Sequence, residues 1–399
     1  MTILGIETSC DETAVSVVEG KGGLRRPKFK VLAHVVSSQT AIHAPWGGVV
    51  PMLAKREHGK NLIPVLEKTL NNSKLKTKSV KQQLKNKNEI EKILEREPEL
   101  LEQFLKFIPT IKPPRIDAIA VTYGPGLEPA LWAGINFARG LARAWQKPLI
   151  PVNHMEGHIY SVLVQSAKRK VQNIKIKFPV LALLISGGHT ELILIRDWFE
   201  YELLGATRDD AVGEAFDKVA RLLDLPYPGG PALSKLARNT QLKDSPWAPL
   251  PRPMINSPDF DFSFSGLKTA VLYRVNDLKK QNLFNDEART ALAADFEQAV
   301  IDVLLVKTIK AIEKYFPKAL LIGGGVSANQ PLRRQFTKHF AKHYPTINLL
   351  LPEQKLSLDN ATMIAVAGYL RLIKGSTLKT RIPKKVEPLI TARGNLTLD

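Results

Sequence analysis

A single cysteine, Cys10, stands among 399 residues, which excludes any internal disulfide and fits a reducing compartment. No apolar run approaches the ~20 residues that a membrane-spanning helix needs. A strand-like run already begins at Thr2 and leaves no room for a signal or transit peptide, so a cytoplasmic location is expected. Acidic residues are few: 38 Asp and Glu stand against 57 Lys and Arg, a formal charge of +19. That excess points to an anionic partner such as nucleic acid, although charge alone says nothing about fold. No RRM, KH or zinc-knuckle signature accompanies it, and the clusters best positioned for phosphates are Arg333-Arg334 and Lys379 to Lys385. The apolar fraction of 44% and charged fraction of 24% are those of a globular protein, and the length suggests two lobes, each able to bury a core.

The most informative local pattern is Asn153-His-Met-Glu-Gly-His158. Two histidines four apart on a helix share one face and can hold one metal ion. Packing or capping of the helix is the plainer reading of an isolated pair. A third ligand must come from elsewhere, and Asp359 is the best candidate. It lies in Ser357-Leu-Asp-Asn-Ala-Thr-Met beside helix-start chemistry, after the strand-like run Ile347 to Leu351. A zincin protease is disfavoured because its general base must follow the first histidine directly. Met155 holds that position, and Glu156 is about 100° further round the helix.

Three segments run from a short apolar strand into a turn rich in Gly, Ser and Thr: Ile3 to Thr13, Leu181 to Thr190, and Ala319 to Asn329. Successive N–H groups in such turns form anion-binding nests. Two of the turns open segments about half a chain apart, the spacing expected of two related lobes with a nucleotide between them. The remaining pattern is mixed α/β. Ile116 to Thr122 reads as a buried strand; Pro129 to Trp145, Ala211 to Leu223, Glu287 to Tyr315 and Ala361 to Ile373 read as helices. Residues 73–112 look different, with ten basic and six acidic side chains interleaved with apolar positions at helical spacing and divided by Pro98. This reads as an inserted helical hairpin, mostly solvated and dispensable for folding.

Taken in order, the motifs closely resemble the bacterial tRNA N(6)-adenosine threonylcarbamoyltransferases, members of the actin, Hsp70 and sugar kinase superfamily. They are Gly5 to Thr13, Gly47-Gly-Val-Val-Pro51, Gly124-Pro-Gly-Leu127, His154 to His158, Ser186-Gly-Gly-His-Thr190, Gly213 to Lys218, Tyr227 to Pro231, Asp261 to Thr269 and Gly324 to Asn329. The resemblance runs from residue 2 to about 372, apart from the insertion. It implies an α/β fold of two related, ribonuclease H-like lobes with a nucleotide and metal cleft between them, plus the helical insertion. The expected division is 1–150 for the N-terminal lobe with its insertion at 73–112, 151–360 for the C-terminal lobe, and 361–399 for a closing helix and tail packing back on the first.

The implied reaction moves the threonylcarbamoyl group of threonylcarbamoyl adenylate to the exocyclic amine of the adenosine following the anticodon, releasing AMP. The family's metal ligands fall on His154, His158 and Asp359, and two histidines with one carboxylate suit iron or zinc. Its substrate contacts fall on Leu184, Ile185, Ser186, Gly187, Gly188, Asp217, Gly230 and Asn329. Asp217 suits a ribose diol, the glycines a phosphate, and Asn329 an adenine edge or ribose. Asp11 and Glu12, on the first turn, are candidates for deprotonating the amine or steering the metal shell. Lys268 is a weaker candidate for a tRNA or phosphate contact. Bacterial relatives work as a heterodimer with an inactive paralogue, with an ATPase subunit for turnover. Two rivals are weighed: a small-molecule kinase of the same superfamily, which would use carboxylates and Mg²⁺ instead of histidines, and a scaffold, whose signature would be loss of the metal residues, all three of which are present here.

Overall fold

The computed structural model describes residues 1–75, 84, 86–164, 176–238, 247–377 and 390–398. The chain divides into two compact units. Met1–His43, Val49–Lys175 and Asp359–Leu398 form the first; Ala44–Gly48 and Ile176–Leu358 form the second. Elements are numbered along the chain.

In the first unit, β1 (Thr2–Glu7), β2 (Glu12–Lys21) and β3 (Lys28–Ser38) are followed by α1 (Thr40–His43) and α2 (Pro51–Asn72). Then come α3 (Lys87–Leu94), α4 (Pro98–Phe107), β4 (Ala118–Gly124), α5 (Glu128–Trp145), β5 (Leu149–Asn153) and α6 (His154–Tyr160). The sheet order is β3-β2-β1-β4-β5, antiparallel from β1 outwards through β3 and parallel from β1 through β5. Central strands of such a sheet are covered on both faces, so Ile3, Leu4 and Ile6 of β1 are all buried instead of alternating with exposed polar residues. Leu4 and Ile6 enter the cluster built with α2 and α5. Gly5 faces the other way, toward a helix from the far end of the chain, α13 (Ala361–Thr377), where a Cβ would collide with the Ala361 carbonyl.

Two expectations change here. The stretch 151–164 belongs to the first unit and not to a lobe beginning at 151, because β5 completes the first sheet and α6 follows it directly. The α3–α4 hairpin is not an outlying addition either. Ile90, Leu94, Leu100, Phe104 and Ile108 are fully buried in the same cluster as Phe137 and Leu141 of α5, and the Phe104 and Phe137 rings meet edge to face at 6.2 Å. The helical spacing and the break at Pro98 were legible; what the apolar stripe packs against was not.

The second unit repeats the pattern. Here β6 (Val180–Ile185), β7 (Thr190–Asp197), β8 (Glu200–Ala206), β9 (Ala319–Gly323) and β10 (Asn348–Leu350) order as β10-β9-β6-β7-β8. Again one half is antiparallel and the other parallel. The helices are α7 (Val212–Leu222), α8 (Gly229–Ala237), α9 (Ser265–Lys280), α10 (Asp286–Tyr315), α11 (Gln330–His343) and α12 (Gln354–Ser357). The long α10 is capped by Asn285 Oδ1, which accepts from Ala288 N at 2.9 Å. It runs through the core behind Leu292, Phe296, Val300 and Leu304. The shared strand pattern makes the units two related α/β lobes.

Candidate metal centre and substrate loops

Asn153 ends β5 and starts α6: its Oδ1 accepts from Met155 N at 2.8 Å, so the helix begins at His154, and both histidines are buried with the whole of α6. Asp359 arrives immediately before α13, whose N-terminus is capped by Asn360 Oδ1 accepting from Met363 N. Asp359 Oδ1 lies 3.4 Å from His154 Nε2 and 3.2 Å from His158 Nε2. The three donor atoms all lie within 4.8 Å of one another. Ligands about 2.1 Å from a common ion stand roughly 3.0–3.4 Å apart at octahedral or tetrahedral angles, so the trio fits a transition metal. A further observation favours an ion over a plain ion pair: His158 Nε2 is buried and, despite its closeness to Asp359, lacks hydrogen-bond alignment.

The residue that sequence reasoning missed is Glu7. It sits fully buried at the end of β1, where Ser9 N reaches Oε1 at 2.6 Å and Thr122 Oγ1 donates to Oε2 at 2.6 Å. His154 Nδ1 lies 3.2 Å from Glu7 Oε2 and 3.2 Å from Ser9 Oγ. An Nδ1–H donated to this carboxylate leaves Nε2 as the ligand atom, the arrangement by which outer carboxylates fix metal-binding histidines. The signal was available: a carboxylate ending an otherwise apolar strand has no reason to be buried without a partner.

The charges agree with a cation site. Burial raises the Glu7 pKa, but the His154 charge and hydrogen bond outweigh it and leave the carboxyl below its ordinary range. Asp359 is likewise held down, against burial, by His154 and His158. Burial would lower His154, yet Asp359 and Glu7 raise it well above the usual imidazole value, whereas for His158 burial prevails and the pKa falls. Glu12 is pushed up to about 10 by burial and by the neighbouring Asp359 and Asp11 charges. The same causes, burial first, raise the Cys10 thiol well above its ordinary value, which argues against a thiolate nucleophile.

A buried relay holds this turn. Val50 N donates to His43 Nδ1 at 3.3 Å, and His43 Nε2 meets Gln39 Oε1 at 3.1 Å. Gln39 Nε2 then meets His58 Nδ1 at 3.2 Å, and His58 Nε2 meets the Cys10 carbonyl at 3.0 Å. Since each amide or ring nitrogen has one role, the donors all run from Val50 toward Cys10. Gln39 N also binds the Asp11 carbonyl at 2.9 Å. Burial, the leading cause, lowers His58 to about 4 and keeps it neutral in the relay.

In the second unit, Leu184 and Ile185 are buried on β6 and Ser186 turns the chain, its Oγ accepting from His189 N at 3.1 Å. Gly187 and Gly188 stand exposed, with open space where a Cβ would be. Asp217 Oδ1 receives Gly229 N at 2.8 Å and Gly230 N at 3.3 Å, holding the start of α8. Asn329 differs from expectation. Its Nδ2 donates to Ser234 Oγ at 2.8 Å and Glu297 Oε1 at 2.7 Å, and its Oδ1 caps α11 through Leu332 N. Both amide protons are therefore committed inside the protein. Lys268 pairs with Asp210 at 3.0 Å. Arg333 donates to the Ser327 and Pro352 carbonyls and to Ser357 Oγ. Neither side chain is open to phosphate, and Lys379 to Lys385 lie outside the described residues. A cavity of ≈ 490 Å³ beside α3 and α5, lined among others by Lys55, Arg96, Trp132 and Arg139, shares no residue with either set.

The family model for TsaD, tRNA N6-adenosine threonylcarbamoyltransferase, matches residues 30–82 and 91–366. The chain belongs to this family. A tRNA N6-adenosine threonylcarbamoyltransferase of Persephonella marina is 42% identical over 94% of this chain and 92% of its own. One from Thermosipho africanus is 41% identical over 94% and 96%. The match passes through most of 73–112 and omits only 83–90 between its two parts, so the inserted portion is far shorter than the sequence reading held. A full-length HypF solved in a phosphate- and nucleotide-bound form aligns over 94% of this chain and 55% of its own, with a TM-score of 0.50 at 11% identity, and shows likeness of fold alone. No helix among the described residues is long and apolar enough to cross a membrane.

Proposed function

We propose that this chain transfers the threonylcarbamoyl group from threonylcarbamoyl adenylate to the N6 amine of the adenosine that follows the anticodon. It is a transferase of a tRNA-modifying family. In the reaction the bond from the carbamoyl carbon to the phosphate oxygen breaks, a bond from that carbon to N6 forms, one amine proton departs, and AMP leaves. The observation that carries the reading is the convergence of His154, His158 and Asp359, backed by Glu7, in a member of this family.

His154, His158 and Asp359 are proposed to hold iron or zinc, which when bound supplies a Lewis acid beside the carbonyl under attack. Glu7 fixes the His154 tautomer. Asp11 and Glu12, on the turn after β1, are proposed to take the amine proton or to steer the metal shell. The backbone around Asp11 is positioned by Gln39 and His58. In the other lobe, the N–H groups of Ser186 to Gly188 are proposed to bind phosphate, supported by Leu184 and Ile185 behind them. Asp217 is proposed to bind the ribose, with Gly230 close beside it. Asn329, with its oxygen accepting from Leu332 N and its amide protons on Ser234 and Glu297, is proposed to shape the substrate site from the start of α11.

We further propose a cytoplasmic location, pairing with an inactive paralogue, and an ATPase subunit for repeated turnover. A small-molecule kinase remains the rival, and two buried histidines facing one carboxylate count against it. The test is incubation of the chain and its partner subunits with threonylcarbamoyl adenylate and unmodified tRNA, followed by nucleoside mass spectrometry. Threonylcarbamoyladenosine and AMP should appear together. Asp359→Ala should abolish them, and Asp217→Ala should mainly raise KM for the adenylate. Phosphorylation of a sugar or acid with no modified nucleoside would establish the kinase instead.

A further inference from the structure

Helix α11 is built differently from the other long helices. Its fourteen residues include Arg333, Arg334, Lys338, His339, Lys342 and His343 and no Asp or Glu. Its buried face is fixed by Leu332, Phe336 and Phe340, and Arg333 locks its first turn to the Ser327 and Pro352 carbonyls. That leaves Arg334, Lys338 and Lys342 exposed at four-residue intervals along the opposite side. Among the described residues none of the three forms an ion pair. Small side chains, Thr337 and Ala341, are exposed between them, so a bulky strand can approach the helix closely.

Most solvated basic faces carry compensating acids at three- or four-residue spacing, because such pairs support the helix. This one carries like charges there, which weakens the helix slightly and asks for a reason. The spacing supplies one: four residues rise about 6 Å along a helix, close to the step between successive phosphates of a nucleic-acid strand. The cations are also mounted on a rigid element that starts at Asn329, one of the proposed substrate residues.

We infer that the exposed face of α11 is a docking rail for the tRNA backbone, with Arg334, Lys338 and Lys342 each meeting a phosphate. The inference rests on the proposed tRNA substrate but concerns where that RNA lies. These contacts carry no base information; they set register and orientation. The partner is RNA and not an acidic protein surface, because evenly spaced cations with small residues between them match a regular row of phosphates.

The experiment replaces all three residues, Arg334→Gln, Lys338→Gln and Lys342→Gln, in the otherwise complete protein with its partner subunits. Binding of an unmodified tRNA transcript is measured across a salt series. The expected result is roughly 10- to 100-fold weaker binding near 0.1 M salt, with a log–log salt slope shallower by roughly 2 to 3. Melting temperature, metal content and KM for threonylcarbamoyl adenylate should stay as in the parent, since none of the three side chains enters the core or either candidate site. Unchanged tRNA affinity and slope would overturn the rail, as would weakened binding of a partner subunit with tRNA binding intact. The outcomes separate from those for the reaction. A parent protein that forms threonylcarbamoyladenosine while the triple variant binds tRNA normally removes the rail alone; one that forms none while tRNA binding responds as described removes the reaction alone.

Discussion

Arg371 and Glu156 form a two-pronged ion pair, Nε to Oε2 and Nη2 to Oε1, both at 2.7 Å. Glu156 is buried on α6 between His154 and His158, and Arg371 lies on α13, the helix that Asp359 precedes. The pair therefore fastens the two-histidine helix to the helix beginning at the third ligand. It also gives Glu156 an occupation other than the protease base considered from the sequence. Arg371→Ala should remove both of these bonds from the Glu156 carboxylate. A fully buried pair would lose about 3–5 kcal/mol on such truncation; with the guanidinium partly exposed, about 2–3 kcal/mol is expected from chemical denaturation, together with weaker metal retention. Unaltered metal retention would mean that α6 is held in place without the pair.

Glu7→Gln keeps the shape beneath His154 and removes the charge. Outer carboxylates of metal-bound histidines typically contribute 10–100-fold in metal affinity. Competition with a chelator should show a loss of that size for zinc or iron in Glu7→Gln and near-complete loss in His158→Ala. Full occupancy in His158→Ala would remove the trio as the metal site.

Stability should fall as pH drops from about 6.5 to about 4, with His58 a main contributor. Its folded pKa of about 4 lies below the unfolded value of 6.5, so across this window the unfolded chain binds the extra proton and is favoured. The full span of 2.5 units corresponds to roughly 3 kcal/mol. Other groups titrate nearby: burial lowers His34 and His158, and carboxylates raise His154. The informative quantity is therefore the difference between parent and His58→Gln in denaturation series at several pH values. The variant should lose less stability on acidification, and equal slopes would show that the relay does not keep His58 neutral.

How much of this was legible depends on the range of the interactions involved. The i, i+4 histidines, the glycine-rich turns and the strand-to-helix order are local, and the structure places all of them where the periodicity put them. Asp359 came from a motif just over 200 positions further on, through helix-start chemistry, although Asn360 turns out to be the cap. Glu7 was missed because its partners, Thr122 and His154, are distant in sequence and meet it only across the sheet. Asn329 was read as open to a ligand because Ser234 and Glu297, which engage its protons, belong to other helices. The hairpin shows the same limit: spacing fixed which side chains of α3 and α4 share a face, but not that α5 receives them.

That hairpin reverses an expectation of tolerance. With Ile90, Leu94, Leu100 and Phe104 fully buried, replacing residues 75–110 with a Gly/Ser linker should expose the α5 face carrying Phe137 and Leu141 and destroy the cooperative melt. Phe104→Ala alone should cost about 3–5 kcal/mol, read from urea unfolding. A loss under 1 kcal/mol would return the hairpin to the status of a surface addition.

The end of the chain bears on the metal centre as well. Ile390 is buried in the first core, Arg393 N binds the Tyr123 carbonyl at 2.9 Å, and Gly126 N binds the Gly394 carbonyl at 3.1 Å. Gly124, at φ +153°, has no room for a Cβ because the Arg393 carbonyl occupies that space. Beyond this, Asn153 Nδ2 donates to the Thr397 carbonyl at 3.0 Å while its Oδ1 caps the helix that starts with His154. The last residues thus steady the cap of the metal helix, whereas Ile390 anchors the tail as a whole. Removing residues 395–399 keeps that anchor and deletes the contact with Asn153. The melt should change by about 1 kcal/mol or less, the worth of one hydrogen bond, while metal dissociation quickens several-fold. Removing 390–399 should lower stability as well, through the exposed Ile390 pocket. If the shorter deletion leaves metal dissociation unchanged, the tail is packing for the core and Asn153 caps α6 unaided.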